Sequence, residues 1–436
     1  MVERNAPAEG PPRTALVVGG GGFIGGFIVA ALRSAGWRVR PLLRRGTQDA
    51  DAIVRDLGAL RAPADWEPLL EGVDVVVNAA GILRETRADR FEAIHLQLPL
   101  ALAQACVRCG VRRFVQVSAV GHVEDGAFIG SKHAADRALQ QLDGLSVVVL
   151  RPSVVYSPAG SYGGTSLLRT LASMPGCVPV PGHGRWPIQP VDASDLARVV
   201  ARAAASDLTG VFEVGGPEPM ALRDYLLAWR RWLRLPRAPV VPVPQWIIGL
   251  VVGVSERIGR GPLARSTWRM LLSGNVTAPD AWSRLQASFG VAPRALAAVL
   301  DATPSQVQDR WHARLSLLEP PLRLGMVLLF LLSAVAGFAT PATAIEALAQ
   351  GTPLAKAAPV ALARAGGAAD LLLGLLLLLR WQPRLVLAAA LVLVLAYTLV
   401  FGIATPTLWL DPLGGLAKNL VVLPALAVLW VLAERR

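Results

Sequence analysis

Val17-Val18-Gly19-Gly20-Gly21-Gly22-Phe23-Ile24-Gly25-Gly26 constrains this chain more than any other stretch. The five residues 14–18 are apolar and β-prone and predict a short buried strand. Residues 27–32 predict a helix running on from the glycines. Gly19, Gly22 and Gly25 are spaced every third residue, so a glycine turn joins strand to helix. Such a unit suits a dinucleotide. Glycine allows the tight turn, lets backbone N–H groups reach the pyrophosphate, and lets the helix pack close to the strand. The helix N-terminus adds the positive end of its dipole.

Residues 14–156 continue the alternation. Strands are predicted at 38–44, 73–81, 114–118 and 146–150, with helices between them at 98–110 and 132–142. Strand–helix alternation builds a doubly wound parallel sheet. From 157 to 318 the pattern turns irregular and rich in Pro and Trp, which reads as a small substrate-side lobe. After Pro320-Pro321 the composition becomes strongly apolar, in four segments at 324–338, 365–379, 385–404 and 416–432. A spanning helix needs about 17–25 apolar residues, so four membrane helices are expected. The segment 246–254 is too short to span. It reads as a core helix of the small lobe or as an apolar surface resting on a bilayer.

The formal charge of +12 suits an anionic partner, but no compact basic cluster interleaved with aromatics points to nucleic acid. Arginines instead flank the apolar segments, as anionic headgroups favour. Arg314 and Arg323 precede the first segment, Arg380 and Arg384 lie between the second and third, and Arg435 and Arg436 follow the fourth. Loop 405–411 has no Lys or Arg, whereas Lys356 and Arg364 lie in loop 340–364. The positive-inside rule then places both termini on the cytoplasmic side of a bacterial-type inner membrane. Residues 1–13 are polar and Pro-rich, without a signal-peptide core, and are expected to be disordered. The three cysteines make no disulfide framework; Cys106-x-x-Cys109 is either a redox pair or two packed thiols. Asp370 and Lys418 form an intramembrane pair or snorkel separately. No metal-ligand pattern is present.

Residues 14–318 resemble the extended and atypical short-chain dehydrogenase/reductase (SDR) group. The resemblance rests on Gly19, Gly22, Phe23, Ile24 and Gly25, Asp56-Leu57, Asn78-Ala79-Ala80-Gly81, Val117-Ser118-Ala119, Ser131-Lys132 and Arg151-Pro152-Ser153-Val154-Val155-Tyr156. Pro190-Val191-Asp192-Ala193-Ser194-Asp195-Leu196-Ala197 and Phe212-Glu213-Val214-Gly215-Gly216-Pro217 carry it further. Within the group it is similar to the branch containing the nucleotide-binding accessory subunit of respiratory complex I. Residues 319–436 resemble a DoxX-like four-helix membrane module, on Gly374-Leu375-Leu376 and Leu416-Ala417-Lys418-Asn419-Leu420. The fold class is therefore α/β, a doubly wound parallel Rossmann sheet with a small lobe, followed by an all-α transmembrane domain.

The resemblance implies a proton relay of Tyr-x-x-x-Lys with a Ser from the preceding strand. Ser118 and Lys132 match, but the Tyr position is Phe128, which has no proton to give. General acid–base help is worth roughly 10²–10⁴-fold, so classical carbonyl reduction is expected to be impaired. Tyr156, Tyr162, Tyr225 and Tyr397 are the only tyrosines and none replaces it; His122 and His133 are candidate donors or simply surface histidines. Ser118 is otherwise a turn-capping serine, and Lys132 a surface helix lysine. The resemblance also assigns Gly19, Gly22, Phe23, Ile24, Gly25, Asp56, Leu57, Asn78, Ala79, Ala80, Gly81, Lys132 and Pro152 to the nucleotide. Asp56 meets the adenine edge or caps a turn. The second strand ends Leu43-Arg44-Arg45 with no acid to bind a ribose 2′-OH. Arg44 suits a 2′-phosphate, which favours NADP(H) over NAD(H). Two function classes follow. One is a membrane-anchored oxidoreductase acting on a lipophilic substrate such as a quinone or isoprenoid. The other is a non-catalytic nucleotide sensor or accessory protein of a membrane redox complex, or a regulator of the DoxX-like module.

Overall fold

The computed structural model describes residues 13–44, 46, 48–86, 89–160, 163–257, 265–410 and 415–434. Residues 1–12, Arg45, Tyr162, Asp411, Arg435 and Arg436, which enter the readings above, lie outside the described residues. The chain divides into two compact units, Met1–Arg310 and Trp311–Arg436.

In the first unit, seven strands form one sheet. They are β1 (Thr14–Val18), β2 (Arg38–Leu43), β3 (Ile53–Val54), β4 (Val75–Asn78), β5 (Arg113–Val117), β6 (Ser146–Pro152) and β7 (Gly210–Val214). Their order is β7-β6-β5-β4-β1-β2-β3, and every pair is parallel. Parallel strands need crossovers, supplied by α1 (Phe23–Ser34), α2 (Leu98–Arg108), α3 (Ala127–Gln140) and α4 (Ala193–Ala205). Side chains alternate along each strand, so β1 feeds two cores. Ala15 and Val17 pack with Ile28 and Leu32 of α1 and Leu196 and Val199 of α4. Leu16 and Val18 pack on the opposite face with Leu98 and Leu102 of α2 and Leu139 of α3. Strand order reverses at β1, where Val18 is level with both Leu42 and Asn78. A crevice opens outside the carboxyl ends of the strands at such a switch point.

The region 157–318 is not a separate lobe throughout. It returns β7 to the main sheet beside β6, and α4 to the face shared with α1. What remains outside the sheet includes ladders pairing Val155–Tyr156 with Val191–Asp192 and Val178–Pro181 with Val240–Val243. Two further helices there are α5 (Gln245–Arg257) and α6 (Arg265–Ser273). The aromatic rings of Tyr156, Tyr225 and Trp229 meet edge to face, with the Arg169 guanidinium 4.3 Å above the Trp229 ring.

Among the described residues, three helices are long and apolar enough to cross a membrane: α7 (Val307–Ala339), which enters the second unit at Trp311, α8 (Pro359–Leu379) and α9 (Pro383–Ala404). The helix expected as the fourth span, α10 (Asn419–Leu432), has 14 residues. At 1.5 Å per residue it is about 21 Å long, short of a hydrocarbon core of about 30 Å. Pro320 and Pro321, read from sequence as the boundary, lie inside α7. Small residues let two helices approach closely, since a Cβ on Gly337 of α7 would stand 3.0 Å from Gly367 of α8. The Asp370–Lys418 pair does not form among the described residues. Asp370 accepts a hydrogen bond from Ser333 Oγ at 2.5 Å, and Lys418 is exposed before α10.

Candidate nucleotide site

The glycine turn between β1 and α1 is built by backbone. Gly19 has φ +80°, and a Cβ there would lie 2.8 Å from Ala80 N. A Cβ on Gly25 would lie 2.0 Å from Gly19 O, so α1 packs against the turn only because residue 25 is glycine. The Gly22 amide donates to Gly19 O at 2.9 Å and closes the turn. Gly22 caps α1 without a side-chain bond, and the first turn of α1 carries no acidic residue. No acidic side chain of that first turn competes for the N-terminal amides, which suits a pyrophosphate. Phe23 and Ile24 are half-buried behind the turn.

After β3, Asp56 caps the short turn Leu57–Ala59 through Gly58 N at 3.1 Å, and Leu57 is buried beneath it. Arg44 follows β2 and pairs with Asp89 at 3.4 Å. Its side chain is half exposed, so the guanidinium is accessible to a phosphate. At the middle of the crevice Asn78 is buried and held at both ends. Its Nδ2 donates to Gln116 Oε1 at 2.9 Å and its Oδ1 accepts from Ala80 N at 3.1 Å. This fixes Ala79, Ala80 and Gly81 as a rigid wall. Gln116 was not singled out from sequence, though its level pairing with Asn78 follows from the strand register. Pro152 is buried at the end of β6, where its carbonyl accepts from Val120 N at 2.9 Å.

Phe128, Lys132 and Asp136 are spaced by four on α3 and therefore share one face. All three are buried. Phe128 lies among Phe91 and His95, at ring separations of 5.9 and 5.4 Å. Lys132 Nζ donates to Val117 O at 3.1 Å, which leaves two ammonium N–H groups without a protein acceptor among the described residues. A Cβ on Gly81 would come within 3.5 Å of Lys132 Nζ and 3.6 Å of His95 Nε2. The lysine therefore looks onto the Gly81 wall rather than out to solvent. Burial lowers its pKa to about 8, against an opposing pull from Asp136.

Ser118 is buried beside the same face of α3. Its hydroxyl donates to Asp136 Oδ2 at 2.8 Å, and Arg151 Nε donates to the same oxygen at 2.9 Å. In this arrangement the Ser118 proton is held by Asp136. His133 Nε2 donates to Ala119 O at 3.0 Å, with its pKa lowered by burial, and His122 is exposed. His95, which nothing in the sequence singles out, lies beside Gly81 and Lys132. It sits in a π-helical turn, Glu92–Gln97, a distortion that often marks functional positions. His95 Nε2 accepts from the Ile82 amide at 3.0 Å, so the hydrogen-bond network places its proton on Nδ1, toward Ser131 Oγ at 3.0 Å. Burial and the Lys132 charge push its pKa down to about 3, so it stays neutral. Cys106 is buried with its thiol pushed up to about 12 by burial and Cys109 is exposed, so the pair is not a poised redox couple. Among the described residues no group of acids, histidines or cysteines is arranged to hold a metal.

Residues 15–215 match the NAD dependent epimerase/dehydratase family, and residues 322–430 match the DoxX-like family. The ceramide reductase of Caulobacter vibrioides (strain NA1000 / CB15N) is 29% identical over 151 residues, covering 33% of this chain and 46% of that protein. NADH dehydrogenase (ubiquinone) 1 alpha subcomplex subunit 9, mitochondrial, of Mus musculus is 30% identical over 156 residues, covering 33% of this chain and 40% of that protein. The match spans less than half the length of either relative. The structure of MoeE5 in complex with UDP-glucose and NAD superposes with a TM-score of 0.50 and 22% identity, covering 70% of this chain and 99% of that one. At that identity the likeness is one of fold. The chain thus joins an NAD dependent epimerase/dehydratase domain with a Rossmann sheet to a DoxX-like domain.

Proposed function

We propose that the chain is a membrane-anchored oxidoreductase that uses a nicotinamide dinucleotide, with NADP(H) preferred, on a lipophilic substrate of the quinone or isoprenoid class. The observation that carries this reading is the Lys132 ammonium, buried against Gly81 with two donors to spare while the tyrosine position is filled by Phe128. The glycine turn after β1 would hold the pyrophosphate, Asp56 and Leu57 the adenine edge, and Lys132 the nicotinamide ribose. Arg44 would exchange Asp89 for a 2′-phosphate, which a guanidinium binds in fork geometry. A bound reduced nicotinamide supplies hydride. The chain's own part is to hold that ring against Phe128 and the Ala79–Gly81 wall, and to keep a cation beside the ribose. Without a tyrosine, protons for the product come from solvent or from Lys132, which suits an acceptor that needs no strong general acid. The DoxX-like domain would anchor the protein in a bacterial-type inner membrane with both termini cytoplasmic.

A second reading is a nucleotide-holding sensor or accessory subunit of a membrane redox complex. It is favoured by Ser118, whose proton is committed to Asp136, and by Phe128. The two readings separate in one experiment. NADPH fluorescence is followed with full-length protein and native membrane lipid extract, beside Lys132→Ala. Decay with the wild type and not the variant is the expected result. Tight binding with a persistent signal establishes the second reading instead.

A further inference from the structure

From Gln245 to Ser255 the helix α5 contains no charged residue. A helix apolar all round is ordinarily enclosed by protein or by lipid. Among the described side chains of α5, Ile248 and Val252 form one buried edge. Trp246 is 72% exposed, Leu250 62% and Val251 47%, and together they form a contiguous apolar face. At 13 residues α5 is about 20 Å long and cannot span a bilayer. An apolar helix of that length, ending in an exposed tryptophan, fits the headgroup boundary, where indole rings concentrate.

The position of α5 in the first unit gives this face a role. Arg84, three residues beyond Gly81, reaches α5 and donates to Ser255 O and Ser255 Oγ, both at 3.3 Å. The following helix, α6, sets Met270 against the cluster of Phe91, Phe128 and Ile129, and Ser273 Oγ donates to Asp125 Oδ1 at 2.5 Å. The exposed apolar face is therefore tied to the segments that build the Lys132 end of the crevice, not to its phosphate end.

We propose that Trp246, Leu250 and Val251 dock α5 into the surface of a lipid bilayer, so that a lipophilic substrate passes from the leaflet to the Lys132 end of the nucleotide crevice. The occupant is a bilayer rather than another protein because the same chain carries three helices apolar enough to cross one. This inference rests on the membrane-anchored, lipophilic-substrate reading above and deepens it.

The test uses full-length protein in nanodiscs with Cys109→Ser and Cys177→Ser as background. An environment-sensitive fluorophore is placed on Leu250→Cys or, as a control, on Asp143→Cys in the exposed turn after α3. Lipids carry a nitroxide near the headgroup. Severalfold stronger quenching at position 250 than at 143 is expected. Equal, weak quenching at both sites overturns the proposal, and so does a label at 250 shielded from both lipid nitroxide and aqueous iodide, which means that protein covers the helix. NADPH binding is measured on the same samples. Lipid quenching without NADPH binding defeats the nucleotide reading alone; NADPH binding without lipid quenching defeats this inference alone. A Trp246→Ser, Leu250→Ser double variant is expected to bind NADPH normally and to lose decay driven by lipid extract.

Discussion

The side chain with most to say is Lys132. Its neighbours on α3 at spacing four, Phe128 and Asp136, explain both what the site has lost and where Ser118 went. A phenylalanine at the tyrosine position leaves an apolar wall, and the Ser118 hydroxyl turns to Asp136, one turn of helix beyond the lysine. Burial lowers the Lys132 pKa from 10.5 to about 8. The folded state therefore binds fewer protons than the unfolded state between those values, and stability rises with pH across that interval. The contribution is lost as pH falls through about 8, where the buried amine must carry charge. Nucleotide binding runs the other way, because the ammonium is the form that attracts the ribose and phosphates. NADPH affinity is expected to fall as pH rises through about 8, with Lys132→Met weaker and flat over the same range. A fluorescence titration at several pH values checks this, and an unchanged slope in the variant would remove Lys132 from the site.

The strand–turn–helix element at the head of the chain is the most legible part of the fold, because its geometry depends on residues a few positions apart. Gly25 and Gly26 are adjacent yet unlike. A Cβ on Gly25 meets Gly19 O at 2.0 Å, whereas one on Gly26 meets nothing within 4 Å. Overpacking typically costs about 1–3 kcal/mol, so Gly25→Ala is expected to lower the melting temperature and abolish NADPH binding. Gly26→Ala lies on an open face of α1 and is expected to hold or raise stability by up to about 1 kcal/mol, as alanine replaces glycine in a helix. Equal effects in thermal melts would contradict the turn geometry. The π-helical turn bearing His95 was not legible in this way. Nothing in the apolar run at 91–103 marks an i→i+5 turn, and the ring's partners, Ile82 and Ser131, lie 13 and 36 residues away.

Across the membrane unit, charge collects by position along the bundle. Arg380 pairs with Glu319 at 3.0 Å, Arg384 with Glu434 at 3.5 Å, and Arg323 also pairs with Glu319. The start of the apolar part of α7, the α8–α9 turn and the end of α10 therefore meet at one end. Arg364 bonds to the carbonyls of Gly337 and Thr340 at the far end of α7. If the positive-inside rule governs this unit, that end is the cytoplasmic one. A membrane-impermeant maleimide applied to intact cells is expected to spare Gln382→Cys until the membrane is permeabilised, and to label Gln350→Cys from outside. The reverse pattern would invert the orientation.

Periodicity and short-range spacing carry the dinucleotide turn, the parallel α/β alternation and the apolar helices, since each is a pattern repeated within a few residues of itself. The relay tyrosine is implied only by the resemblance to the short-chain dehydrogenase/reductase group, whose pattern places it four residues before Lys132, where Phe128 stands. Long-range closure decides the rest. Ser118 and Asp136 meet across 18 residues of chain, and β7 returns to pair with β6 after the small lobe has begun. The spare donors of Lys132, the neutrality of His95 and the uncovered face of α5 depend on what the folded chain brings beside them. Burial and hydrogen-bond partnership are properties of an environment, and no single segment specifies its own.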